Sequence, residues 1–255
     1  MEPKRMKMAI PTPSSPKKST STYDPRRIIE ALKIFRGEPT KTHAELLQLK
    51  RHLDSKERVL AFLEYDNKSA YRALLSRIIA MANDIFVSPF EHGASAGQNL
   101  SPQLPAQQQI VCALRETFSV VANMCHLSVL ACIEACSSNF DNLFCVFIRV
   151  LEPKKQAEEQ LLSSLRCPAL RLIGNLCELK ETATYVAISA HLMELVAMCV
   201  SRNSSAEGEI GGDTDASTTN ASQLNTATER RQEEEQALRV LRLLATRRKH
   251  LKVGE

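Results

Sequence analysis

Apolar residues recur along this chain at spacings of three and four, in blocks separated by polar or proline-bearing stretches, which is the signature of amphipathic helices. From Asn67 onward Tyr71, Leu74, Leu75, Ile78, Ile79, Ala82, Ile85 and Phe86 keep the 3.6-residue period through four turns and predict one long helix. Upstream, Asp24 followed by Pro25 reads as an N-cap with proline in the first turn. Ile28, Ile29, Leu32 and Phe35 form one face, and Gly37 is the stop. Thr42 with Glu45, and Asp54 with Glu57, have capping-box spacing. They predict two short helices that bury Leu46, Leu49 and Leu53, then Val59, Leu60 and Leu63.

Residues 87–107 read as a loop ending near Pro105, where a long helix starts and runs to about Leu127. A short helix near 128–136 follows, then a cap at Ser137 or Ser138 and an apolar helix through Phe140, Phe144, Phe147 and Leu151 that stops before Pro153. A helix over 154–166 is expected to break at Cys167-Pro168, with further helices over 169–179, 181–188, 189–201 and 232–249. The organisation expected is a disordered basic tail (1–23), an N-terminal helical cap (24–66) and helical repeats (67–250) with loop insertions at 87–107 and 202–231. The fold class expected is all-α, with almost no strand.

An internal repeat organises this pattern. Val120 to Leu127 written over Leu172 to Leu179 matches Asn123 with Asn175, Cys125 with Cys177 and Leu127 with Leu179, an offset of 52 residues. Without a gap the same offset pairs Ala131 with Ala183, Ala135 with Ala187, Phe140 with Leu192 and Leu143 with Leu195. A third copy begins at Ala237-Leu-Arg-Val-Leu, alongside Ala169-Leu-Arg-Leu-Ile, displaced further by the second insertion. A helical period of this length implies units that bury their apolar faces by stacking.

Leu172-Ile-Gly-Asn175-Leu-Cys and Leu192-Met-Glu-Leu195-Val-Ala resemble the third-helix and second-helix cores of armadillo repeats, whose two-layer packing HEAT repeats share. The resemblance covers roughly residues 55–250. It implies a right-handed α-solenoid of about three repeats, with third helices at 108–127, 168–179 and 234–249. It also implies that these helices line a concave groove whose asparagines hold an extended peptide by its backbone, which places Asn123 and Asn175 as partner-binding residues. One turn earlier, where nuclear-import receptors of the family carry Trp, stand Ser119 and Arg171, with Arg239 in the third copy. The chain has no Trp, so the import-receptor role is disfavoured. Arg171 and Arg239, with Arg115 and Arg242 nearby, would suit an acidic segment. Against this stand local hydrogen bonding of both asparagines within the stack and a merely solvated charged face.

Composition narrows the chemistry. The net charge is only +4, but Lys4, Arg5, Lys7, Lys17, Lys18, Arg26 and Arg27 crowd the first 27 residues, a basic tail that gives the alternative of a nucleic-acid-associated protein using this tail and the Arg-rich last helix. The eight cysteines lie between Cys112 and Cys199 on apolar faces and read as reduced, buried thiols of an intracellular protein, cytoplasmic or nuclear. No paired metal knuckle, phosphate loop or nucleophile elbow occurs, so no catalytic residue, metal or cofactor is expected. No signal-peptide core and no stretch of about 20 apolar residues is expected, hence no membrane partner. The partners expected are proteins, and the third copy leaves an apolar C-terminal face for self-association or another chain.

Overall fold

The computed structural model describes residues 23–86, 103–152, 156–206 and 221–251, and among them it is entirely helical, without strands. The helices are α1 (Pro25–Lys33), α2 (Pro39–His52), α3 (Lys56–Glu64), α4 (Ser69–Phe86), α5 (Gln103–Leu127), α6 (Val129–Leu151), α7 (Gln156–Cys177), α8 (Lys180–Ala187), α9 (Ala190–Ala206) and α10 (Ala221–Leu251). Residues 1–22 of the expected tail lie outside the described residues, as do positions 87–102 and 207–220 of the two expected insertions, whereas Tyr23, expected in that tail, packs against the core and donates to Glu45 at 3.4 Å.

Packing follows a regular order. α2 lies on α5, α5 on α7 and α7 on α10, forming one layer; α1 lies on α4, α4 on α6 and α6 on α9, forming a second. The two layers meet through α1 with α2, α4 with α5, α6 with α7 and α9 with α10. One continuous core runs between them, from Ile28, Phe35 and Leu49 through Tyr71, Phe118 and Phe147 to Ile173, Val196 and Val240. Each helix alone is amphipathic and gains most of its stability from this burial, not from intrinsic propensity.

Local chemistry sets the boundaries, and in several places it departs from the sequence expectation. Asp24 caps α1 as expected, its carboxylate accepting from the Arg26 amide at 3.0 Å. α2 begins at Pro39, not at Thr42. Thr42 is buried and its hydroxyl donates to the Ala31 carbonyl at 2.6 Å, so tertiary contact with α1 claims the group that would have capped. α3 is capped by Ser55, while Asp54 pairs instead with Arg58 at 2.8 Å.

Between α3 and α4 the chain turns through Asp66, Asn67 and Lys68, all with positive φ (41°, 48° and 68°). Such a run of non-glycine residues stores strain that the surrounding contacts must hold. Here Lys68 is anchored to Glu134 at 2.7 Å.

α6 joins the two helices expected over 128–151 but bends by 93° between Val129–Ser137 and Phe140–Leu151. α8 and α9 meet at 89°, one repeat later. The expected break at Cys167-Pro168 does not occur: Pro168 lies inside α7. The missing amide costs one hydrogen bond, but Leu162, Leu165, Ala169, Leu172, Ile173 and Leu176 keep one buried stripe through the proline, packed against α5 and α10. α9 and α10 also extend into the span expected as the second insertion.

Gln107–Leu127 of α5 is long and apolar enough by length and composition to cross a bilayer, with mean hydropathy 1.2, which overturns the expectation that no such stretch exists. Its apolarity is used inside the fold, where 67% of that window is buried against neighbouring helices.

Candidate functional site

The five residues singled out from the sequence lie along the layer built from α2, α5, α7 and α10. Arg171 on α7 reaches back to α5, where its guanidinium donates to the Ser119 carbonyl at 3.0 Å and to Asn123 Oδ1 at 2.8 Å. Asn175, one turn on, donates its Nδ2 to the Ala122 carbonyl at 2.7 Å. Arg239 on α10 repeats the gesture, donating to Asn175 Oδ1 at 2.7 Å. The pattern is a ladder in which the arginine of one unit grips the asparagine of the unit before it. Equivalent positions set it up: Asn123 and Asn175 stand in the 52-residue register, and Arg171 and Arg239 match across the larger offset of the third copy.

Some of these placements change the expected roles. Ser119 contributes its backbone carbonyl, not its hydroxyl. Asn175 is 3% exposed and both ends of its amide are engaged within the chain, so local bonding of that asparagine is what the geometry displays. Asn123 is half-buried and spends its oxygen on Arg171.

Three residues that sequence reasoning passed over complete the ladder. Glu178 forms an ion pair with Arg239 and its carbonyl accepts from Arg247. Gly174 makes room for the crossing: a Cβ there would stand 2.9 Å from Arg239 Nη1. The signal was present, since Gly174 departs from Ala122 in an otherwise apolar register. On the same face of α5, a turn before Ser119, Glu116 is buried and holds Lys50 of α2 at 2.8 Å, with Arg115 at 3.6 Å.

The electrostatics of the ladder are uneven. Arg239 is neutralised by Glu178. Arg171 has only neutral acceptors, and no carboxylate lies within ion-pair distance of it among the described residues. Burial lowers its guanidinium pKa, a shift that nearby Cys167 and the Glu116 carboxylate oppose and the adjacent Arg239 reinforces. Arg171 is thus a half-buried cation that forms no ion pair among the described residues, with Glu116 acting on it only from beyond hydrogen-bond distance.

The cysteines gather nearby. Cys132 donates to the Cys125 carbonyl at 3.2 Å, and the Tyr71 hydroxyl, donating to the Ala131 carbonyl at 3.0 Å, lies 3.5 Å from Cys125 Sγ. Cys125 and Cys132 line a cleft of about 330 Å³ together with Leu60, Leu127 and Val129. A hydrogen bond with Cys132 and burial push the Cys125 thiol up, and burial pushes Cys136 and Cys177 up to about 12. These groups stay protonated at neutral pH and are poor nucleophiles and poor metal ligands. No cluster of three or more metal-ligating side chains is found among the described residues.

The expectation of uniformly buried thiols fails at Cys145, which is exposed on α6. Brief alkylation with iodoacetamide is expected to modify Cys145 first, and Cys125, Cys136 and Cys177 only after denaturant is added, as read by peptide mass spectrometry. Labelling of Cys125 at the rate of Cys145 would contradict this picture.

No family model, characterised protein or solved structure matches this chain.

Proposed function

We propose that this chain is a non-catalytic protein-interaction scaffold, built as an armadillo-type solenoid, that binds an acidic extended segment of a partner along the surface formed by α5, α7 and α10. It would work in the cytoplasm or nucleus. Three features support the solenoid reading: the 52-residue register, the two layers in which equivalent helices stack, and the near-perpendicular bends at α6 and between α8 and α9.

The observation that carries the binding reading is Arg171. A planar guanidinium beside a second arginine, with neutral acceptors only, has unspent capacity for a carboxylate at a half-buried site, where charge-assisted hydrogen bonds are strong. The asparagines take a supporting part in this reading. They orient the two arginines, and the arginines make the contact.

The reading is tested by fluorescence anisotropy with a labelled peptide of alternating Asp, Glu and Ser residues. Arg171→Gln is expected to weaken binding about tenfold, the equivalent of about 1.4 kcal/mol. Unchanged affinity would sink the reading. Tighter binding of a short DNA or RNA duplex, lost steeply as salt is raised, would favour the nucleic-acid alternative instead.

A further inference from the structure

The unit formed by α8, α9 and α10 holds an open cleft of about 810 Å³. Its walls are mostly apolar, formed by Ala183 and Ala187 of α8, Met193 of α9, and Leu241 and Leu244 of α10. Ile188, at the bend between α8 and α9, also lines it and is 82% exposed. An isoleucine so bare leaves most of its apolar surface in water, which a covering partner would remove from it.

The repeat indicates what this surface is built to receive. Fifty-two residues earlier, Ala135 and Cys136 stand where Ala187 and Ile188 stand, and they are 0% and 6% exposed. There, α8 and α9 pack across α6, and α10 packs across α7. The equivalent face of the preceding unit is thus covered by helices presenting small and branched apolar side chains.

We propose that the α8–α9–α10 face is a homodimer interface, in which the cleft of each copy receives Ile188 and its neighbours from a second copy across a twofold axis. Charge selects this occupant. Lys180, at the start of α8, and Arg247, held against the Glu178 carbonyl, form a basic margin of the cleft. Glu194, beyond the bend on α9 and largely exposed, forms an acidic one. A twofold axis brings the Glu194 of one copy opposite the basic margin of the other, twice, so the face is complementary to itself.

Head-to-tail stacking fits poorly. The opposite end of the molecule, on α1 and α2, exposes Arg26, Glu30, Lys33, Lys41 and Arg51, whose charges would lose water without a matching apolar surface to compensate. This face contains neither Arg171 nor Asn123, so the inference is independent of the binding reading above.

Sedimentation velocity of the full chain across roughly 1–100 µM tests it. The expected result is a species of twice the 28.4 kDa chain mass that becomes dominant as concentration rises. Ile188→Glu is expected to raise the dimer dissociation constant at least tenfold, with the far-ultraviolet circular dichroism unchanged. Glu194→Lys, at a solvent-exposed position that does not endanger folding, is expected to weaken the dimer, and adding Lys180→Glu to it should recover part of the loss. A wild-type chain that stays monomeric, a dimer indifferent to Ile188→Glu and Glu194→Lys, or open-ended growth into larger species would each overturn the proposal.

Discussion

Asn175→Ala is expected to cost the fold about 3 kcal/mol and to lower the melting midpoint by roughly 6–12 °C. The side chain is buried between α5, α7 and α10, and it is the only rung of the ladder that both donates and accepts: to the Ala122 carbonyl and from Arg239, each at 2.7 Å. Truncation leaves a buried carbonyl without its donor and an arginine with one partner fewer. Each such loss costs about 1–3 kcal/mol, and the better helix propensity of alanine returns only a few tenths. Asn123→Ala removes a single acceptor at a half-buried site and is expected to cost about 1 kcal/mol. Thermal and urea unfolding followed by circular dichroism would measure both. Equal small effects would mean that the ladder does not hold the units together.

Glu134→Ala should have an effect of similar size, about 3 kcal/mol, and Glu134→Gln adds a pH signature. Glu134 on α6 is buried and accepts from Lys68 at 2.7 Å and Arg72 at 2.6 Å, tying the turn before α4, and α4 itself, to the next unit. Burial alone would raise its carboxyl pKa, but the hydrogen bonds and charges of Lys68 and Arg72 outweigh burial and leave it below the usual value. Its folded pKa is thus depressed relative to the unfolded chain. The stabilisation is complete above the ordinary carboxyl range, near pH 4.3, and is lost as pH falls through the lower folded value. The stability difference between the wild type and Glu134→Gln should therefore be constant from about pH 6 to 8 and shrink below about pH 4. A difference that grew on acidification would contradict the pairing. The same substitution releases Lys68 from the left-handed turn at Asp66, Asn67 and Lys68, so part of the loss should appear as increased hydrogen exchange at the start of α4.

Both substitutions act at contacts between units, and that is where sequence and structure divide. The helical class, the 52-residue register and most of the buried faces were legible from apolar spacing. Tyr71, Leu74, Leu75, Ile78 and Ile85 are buried as their period requires, because an amphipathic helix has only one face it can afford to hide. Ser119, Asn123, Arg171, Asn175 and Arg239 could be picked out because equivalent positions in stacked units must fall in a row. What the row does could not be read there. Whether an amide offers itself to a ligand or is consumed by the arginine of the next unit depends on the distance between α5, α7 and α10, which no local pattern contains.

The same reason explains the other departures. Thr42 left its predicted cap for the Ala31 carbonyl, and Pro168 failed to break α7, because contacts made across the chain outweighed preferences written within a single turn. By itself, then, the sequence determined the period, the all-helical class and the residues that recur in register, since these follow from side-chain polarity and spacing along one chain. Only the tertiary structure decided which of those residues are spent on one another, that Arg171 forms no ion pair among the described residues, and that Ile188 stands bare, since these depend on distances between segments far apart in sequence.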